Sequence, residues 1–393
     1  MCRKGKSPAD FARATPPALR KRKESRARSV KSDNARLDRK LETDDDLHAD
    51  SPMSSTVSSA QMRKAKLHIR RILVCLDRSS FSEGCVPYAL SLAKTFGSAV
   101  TLLHVMPNKN AGNQANDVLG WEVARQEAQL YLDRIQKDAG GALGHPVDVM
   151  LEQGRPAERI VAVAHELGAD LTVLGNRGER GATAWNLGST VQQVLAVSRS
   201  SVFIAHCTLP TPGGVVPTRI LVPLDGSLRT ESALPVAARL ASAHGAELLL
   251  VHVVKEPLAT ALLRVPEDMA LAQNLASHLE SSAKHYLLGL KQQLSHEVKN
   301  VRTMVVRHPN EHQCLLEISQ KEKSDLIIVA AHGSACDSAR SFGSVTSYLL
   351  SYSTVPLLVL QDVSDGDFRG RPDLEDSKAS SPSPRASYAP ESV

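Results

Sequence analysis

The clearest chemical signal in this sequence is a spacing of glycines and hydroxyls, Gly175-x2-Gly178-x9-Gly188-Ser189-Thr190. Glycine has no Cβ, so its peptide N–H can approach a ligand closely and its backbone can turn with positive φ. A Gly-Ser-Thr triplet ahead of an apolar periodic stretch predicts a helix start. Free N–H groups and a partial positive charge there favour an anion, and the hydroxyls add donors. Two such elements in one loop suit a chain of phosphates better than a single phosphate. Arg177 and Arg180 lie in the same loop and could add charge-assisted contacts. The loop lacks the Gly-Lys-Ser/Thr ending of a Walker motif, and the first strand ends in "CLDRSS" rather than in GxGxxG. A purely structural turn is the other reading, because turns use glycine too.

The elements that must position this loop follow from an internal repeat. "RILVCLDRSSFSEGCVPYALSLAKTFGSAVTLLHV", from Arg71, lies without a gap on "RILVPLDGSLRTESALPVAARLASAHGAELLLVHV", from Arg219. Asp77 matches Asp225, Pro87 matches Pro235, Gly97 matches Gly245 and His104 matches His252. The chain is thus two copies of one module of about 140 residues, a usual domain size. Short β-branched or Leu-rich runs alternate with amphipathic stretches, the pattern of βα units around a parallel sheet. Strands are expected over 72–76, 99–105, 147–151, 171–174 and 202–205, and again over 220–224, 247–253, 301–306, 326–330 and 357–360. Between the first two strands one helix is expected, with Ser82 as N-cap and Gly97 just past its end. Another opens on Pro156 and stops at Gly168.

Composition bounds the rest. The expected division is a polar leader over 1–66, modules over 67–207 and 218–363, a linker over 208–217 and a polar tail over 364–393. The first 68 residues hold 17 Lys and Arg against 9 Asp and Glu, although the whole chain carries only +5. Such a Ser-rich, aromatic-poor leader has the composition of a disordered segment. Its "RKRKESRAR" run is of the kind that is ordinarily solvated, so nucleic acid is not expected as a partner. No apolar run is long enough to span a membrane, and a cytoplasmic location is expected. The six cysteines show no paired ligand spacing, so neither a disulfide framework nor a metal site is expected.

The glycine spacing after the fourth strand, Asp77 after the first and "LLHV" ending at Val105 together resemble the universal stress protein family. The resemblance covers both modules, roughly 66–363. It implies two tandem doubly wound, Rossmann-like domains akin to the adenine nucleotide α-hydrolases, each a five-stranded parallel sheet of order 3-2-1-4-5 with helices on both faces. It implies ATP, with or without Mg²⁺, in the crevice where the strand order reverses. Val105 would offer backbone groups to adenine and Asp77 would lie beside the adenosine, unless Asp77 merely caps its turn. Gly175 and Gly178 would line the sugar and phosphates, with Gly188, Ser189 and Thr190 at the distal phosphates. In the second module the equivalent residues are Asp225, Val253, Gly333, Gly343 and Ser344, but Ala330 replaces the first glycine. If that position needs positive φ, the methyl group is costly, so weak or absent nucleotide binding is expected there. His104 is expected to pack rather than to do chemistry. The resemblance also implies pairing of the two modules through their fifth strands, and it leaves room for a homodimer.

No catalytic residue is assigned. The expectation is a nucleotide-regulated binding protein of the stress response, with at most slow ATP hydrolysis or self-phosphorylation. A slow ATPase or adenylating enzyme and a nucleotide-independent scaffold are the alternatives.

Overall fold

The computed structural model describes residues 69–108, 118–176, 187–198, 200–206, 216–256, 266–334 and 341–361. The first module runs β1 (Arg71–Leu76), α1 (Ser80–Glu83), α2 (Cys85–Phe96), β2 (Ala99–Met106), α3 (Val118–Leu143), β3 (Asp148–Gln153), α4 (Pro156–Glu166), β4 (Leu171–Gly175), α5 (Ser189–Val197) and β5 (Ser201–Ala205). The second repeats it as β6 (Arg219–Pro223), α6 (Leu228–Glu231), α7 (Leu234–His244), β7 (Glu247–Lys255), α8 (Pro266–Leu294), β8 (Val301–His308), α9 (Glu311–Lys321), β9 (Leu326–Ala330), α10 (Ser344–Tyr352) and β10 (Leu357–Leu360). The expected leader and tail, and all but the last residues of the expected linker, lie outside the described residues.

All ten strands join one sheet in the order β3-β2-β1-β4-β5-β10-β9-β6-β7-β8. Each module is therefore a parallel sheet of order 3-2-1-4-5, and β5 and β10 meet antiparallel with Phe203 opposite Leu358. Central strands such as β4, β5, β9 and β10 are buried along their whole length, which is why they read as unbroken apolar runs. The outermost strands β3 and β8 are only partly buried.

One local expectation needs correction. The stretch after β1 is not a single helix capped by Ser82. A one-turn helix, α1, precedes α2, and its N-cap is Ser79, whose side chain accepts from the Ser82 N–H. Pro87 explains the break, because it has no N–H to give the Glu83 carbonyl four residues back. Pro235 stands in the same relation to Glu231, where α6 ends. Gly97 and Gly245 close the following helices with φ of 71° and 67°, left-handed values that glycine takes without a steric penalty.

Side chains alternate between two cores, one on each face of the sheet, and each core crosses the join between modules. On one face Val74, Leu102, Leu132 and Phe203 are continuous with Val222, Leu248 and Leu358. On the other, Leu103, Ile160, Val194 and Ile204 are continuous with Leu249, Leu315, Leu349 and Val359. Phe203 is among the largest fully buried side chains and meets the Tyr88 ring at 5.3 Å. Beside the join, the α7 residue His244 lies within 3.3 Å of Ser91 and 3.1 Å of Thr95 on α2, and Arg239 sits over Phe96. Removing the ring at the join should open a cavity that both modules feel. Phe203→Ala is expected to cost about 3–5 kcal/mol in urea unfolding and to loosen both modules together. A cost below about 1 kcal/mol would mean that the join is not part of the packed core.

Candidate functional site

Each module has a crevice at the carboxyl ends of its first and fourth strands, the place where the strand order reverses. In the first module Val74 pairs with Val173, and that register carried forward sets Asp77 opposite Asn176, one residue past Gly175. The site residues therefore begin on adjacent strands. Val105 lies one step beyond His104, the last β2 residue paired to β1, so it stands at the rim. Gly175 is the buried end of β4. The loop that follows is drawn closed at its base, since the N–H of Gly188 donates to the carbonyl of Asn176 at 2.9 Å. Gly188 is the N-cap of α5 and provides no side-chain cap, which leaves the first-turn N–H groups at exposed Ser189 and at Thr190 without a capping side chain. Gly178, Arg177 and Arg180 lie outside the described residues.

The turn after the first strand is held alike in both modules, the serine two residues on donating twice to the aspartate. Asp77 Oδ1 accepts from the Ser79 N–H at 3.0 Å and from its hydroxyl at 2.5 Å, and the Asp77 N–H donates to Ser82 Oγ at 3.1 Å. Asp225 Oδ1 accepts from the Ser227 N–H at 2.9 Å, its hydroxyl at 2.6 Å and the Thr230 hydroxyl at 2.8 Å. The residue after each aspartate is left-handed, Arg78 with φ 69° and Gly226 with φ 84°. The capping role of Asp77 is thus real, and it occupies one carboxylate oxygen. Sequence reasoning missed Ser79, Ser227 and Thr230. The signal was there in the repeated spacing Asp77-x-Ser79-x2-Ser82 and Asp225-x-Ser227-x2-Thr230.

In the second module the other carboxylate oxygen is visible too. Asp225 Oδ2 accepts from the Ser334 N–H at 2.7 Å, and this ties the glycine loop down onto the first strand's turn. Desolvation would raise the Asp225 carboxyl, but hydrogen bonds from Ser227, the Ser334 N–H and Thr230 outweigh it and hold the pKa at about 2. A carboxylate held down in this way contributes stability above its ordinary range near 3.9, and loses it as pH falls through about 2. The contact leaves no room at Gly333, where a Cβ would lie 2.5 Å from Asp225 Oδ2. Val253 lies two residues beyond the last β7 residue paired to β6, Gly343 is the N-cap of α10 and Ser344 its first residue. The argument against Ala330 from positive φ does not hold. Ala330 is the buried last residue of β9, neither it nor Gly175 is left-handed, and its carbonyl accepts from the buried Thr346 hydroxyl at 2.8 Å.

His104 is buried, donates from Nδ1 to the Leu76 carbonyl at 2.8 Å and meets the Tyr131 ring edge-on. Burial holds its pKa below the usual histidine range despite that hydrogen bond. Burial likewise pushes the Cys75 thiol up, so it is not a thiolate. Among the described residues no cluster of three or more His, Cys, Asp or Glu could hold a metal ion, and no helix is long and apolar enough to cross a membrane.

Fold and crevices define a tandem, doubly wound, Rossmann-like α/β protein. The chain belongs to the universal stress protein family, whose model matches residues 68–206 and again 217–361. A universal stress protein of Mycolicibacterium smegmatis is 26% identical over 308 residues, covering 74% of this chain and 96% of its own. One from Thermus aquaticus is 30% identical over 141 residues, 35% of this chain and 98% of its own. Among solved structures, a universal stress protein from Archaeoglobus fulgidus superposes with a TM-score of 0.51 at 20% identity, covering 74% of this chain and 98% of that one. A functionally unknown protein from Pseudomonas aeruginosa gives 0.53 at 15% identity, over 76% and 94%. At these identities the two structures speak to the fold.

The Asp225 contact makes Gly333 a sensitive position. Gly333→Ala must displace the carboxylate from the Ser334 N–H and is expected to cost about 1–2 kcal/mol in chemical unfolding. In an Asp225→Ala background the same substitution should cost nearly nothing, and an equal cost in both backgrounds would show that the loop is held by something else.

Proposed function

We propose that the first module binds ATP, with or without Mg²⁺, and that the protein works as a nucleotide-regulated binding module of the stress response rather than as a fast enzyme. One juxtaposition carries the reading: Asp77 follows the end of β1 and Gly175 ends the adjacent β4 at the switch point, while an α-helix without a side-chain cap opens on Gly188-Ser189-Thr190 across a loop closed at its base. In that arrangement Val105 serves adenine, Asp77 turns its second oxygen to the sugar, and Gly175 and Gly178 let the backbone approach. The first-turn N–H groups and the hydroxyls of Ser189 and Thr190 hold the distal phosphates. Mg²⁺, when bound with the nucleotide, would neutralise phosphate charge.

The groups nearest the crevice are engaged structurally, which favours binding over rapid turnover. Asp77 holds its own turn through Ser79, and the Cys75 thiol is protonated. The second module takes nucleotide weakly or not at all, because Asp225 already accepts four hydrogen bonds from the protein and its loop is drawn onto it. The same protein in the cytoplasm, alone or as a homodimer, is the expected working form.

Nucleotide content tests this directly. Protein purified from cells and denatured should release one adenine nucleotide per chain by mass spectrometry, and stripped protein should bind ATP with the same stoichiometry. Gly178→Ala/Gly188→Ala should lose it, and Gly188→Ala alone should unfold near the wild-type urea midpoint, because Gly188 has φ −58°, a backbone that any residue can adopt. Two saturable sites per chain would overturn the assignment of the second module. No nucleotide and no binding would leave the glycine loop as a turn.

A further inference from the structure

The helix that opens on Gly188-Ser189-Thr190 ends against the other module. α5 has nine residues, and its last carbonyls have no helical N–H to accept from. One of them, Ala196 O, accepts from the hydroxyl of Ser341 at 2.7 Å, a contact between residues 145 positions apart. Ser341 stands near the end of the second module's glycine loop. That loop is braced at both ends. The Gly343 N–H donates to the Ala331 carbonyl at 2.8 Å, and the Ser334 N–H is held by Asp225. Phe342, next to Ser341, is buried in the same core as Val191, Val194 and Leu195 of α5.

We propose that Ser341 is a positioning residue for the first module's site, so that the close of the second module's loop, at Ser341 and Phe342, caps the helix that carries Ser189 and Thr190. The proposal rests on reading the start of α5 as the phosphate end. A helix this short is marginal on its own, so its placement depends on its packing and its ends. Its N-cap is a glycine without a side-chain bond, and the hydroxyl of Ser341 satisfies a carbonyl at the opposite end. A helix is stiff along its axis, so a slip of the last turn moves the first-turn N–H groups with it. On this reading the close of the second module's loop, at Ser341 and Phe342, is held against α5 because the neighbouring site needs it there.

Ser341→Ala and Ser341→Thr in the full chain test this with two readouts, amide hydrogen exchange in α5 and ATP titration. Ser341→Ala should speed exchange in the last turn of α5 by about threefold to tenfold and weaken ATP binding by about twofold to tenfold. Ser341→Thr, which keeps the hydroxyl, should restore both. Unchanged exchange in α5 would overturn the contact. Faster exchange with wild-type ATP affinity would overturn its positioning role. Wild-type protein that takes up no ATP would sink the nucleotide reading and this role with it, and the exchange arm tells that failure apart from failure of the Ser341 contact.

Discussion

The antiparallel pairing of β5 with β10 is the constraint on which the rest of the molecule depends. Without it each module would end in a fifth strand that is apolar on both faces and unpaired along one edge, an open template for aggregation. With it the two five-stranded sheets become one, and Phe203 and Leu358 take neighbouring places in a core that belongs to neither module alone. The pseudo-twofold join also decides which helices become neighbours. It brings α2 against α7 on one face, and on the other it sets the second module's loop at the end of α5.

The crevices follow from topology more than from any one residue. A sheet of order 3-2-1-4-5 sends its connections to opposite faces after strands one and four, so the carboxyl ends of those strands part and leave a gap. Whatever stands there must satisfy the backbone that turns away on each side. Asp77 and Asp225 do so for the first strand through Ser79 and Ser227, and the N-cap glycines do so for the fourth by bonding to Asn176 and Ala331. The residue types that would suit a ligand are thus the ones that finish the strands, and their structural roles are visible in the hydrogen bonds they make.

That overlap explains what the sequence made legible. The repeat, the buried strands and the glycines past α2 and α7 could be read because each leaves a local trace: an unbroken apolar run, or a glycine after an amphipathic stretch. The break between α1 and α2 was equally local, four residues before Pro87, yet reading the sequence puts the cap at Ser82 and passes over Ser79; the hydrogen bond from the Ser82 N–H to the Ser79 side chain makes Ser79 the cap. Contacts across the fold left no such trace. Asp225 to Ser334 spans 109 positions and Ser341 to Ala196 spans 145, and no spacing in the chain encodes either. Ala330 misled in the opposite way. Its mismatch to glycine was visible, but the strand geometry that spares this position a positive φ was not.

The two crevices have diverged although the fold around them has not. Thr346 stands where the first module has Val191, and its buried hydroxyl ties α10 to the end of β9, a bond that valine cannot make. Together with the Asp225 contact, this fixes the second module's loop at both ends with groups from its own chain. The bond from the Ser334 N–H to Asp225 is charge-assisted, so displacing it carries a larger cost than breaking a neutral pair. In a duplicated chain, then, the same loop can answer to two neighbours: Asp225 and Thr346 bond near its ends within the second module, and Ser341 reaches the last turn of the first module's α5.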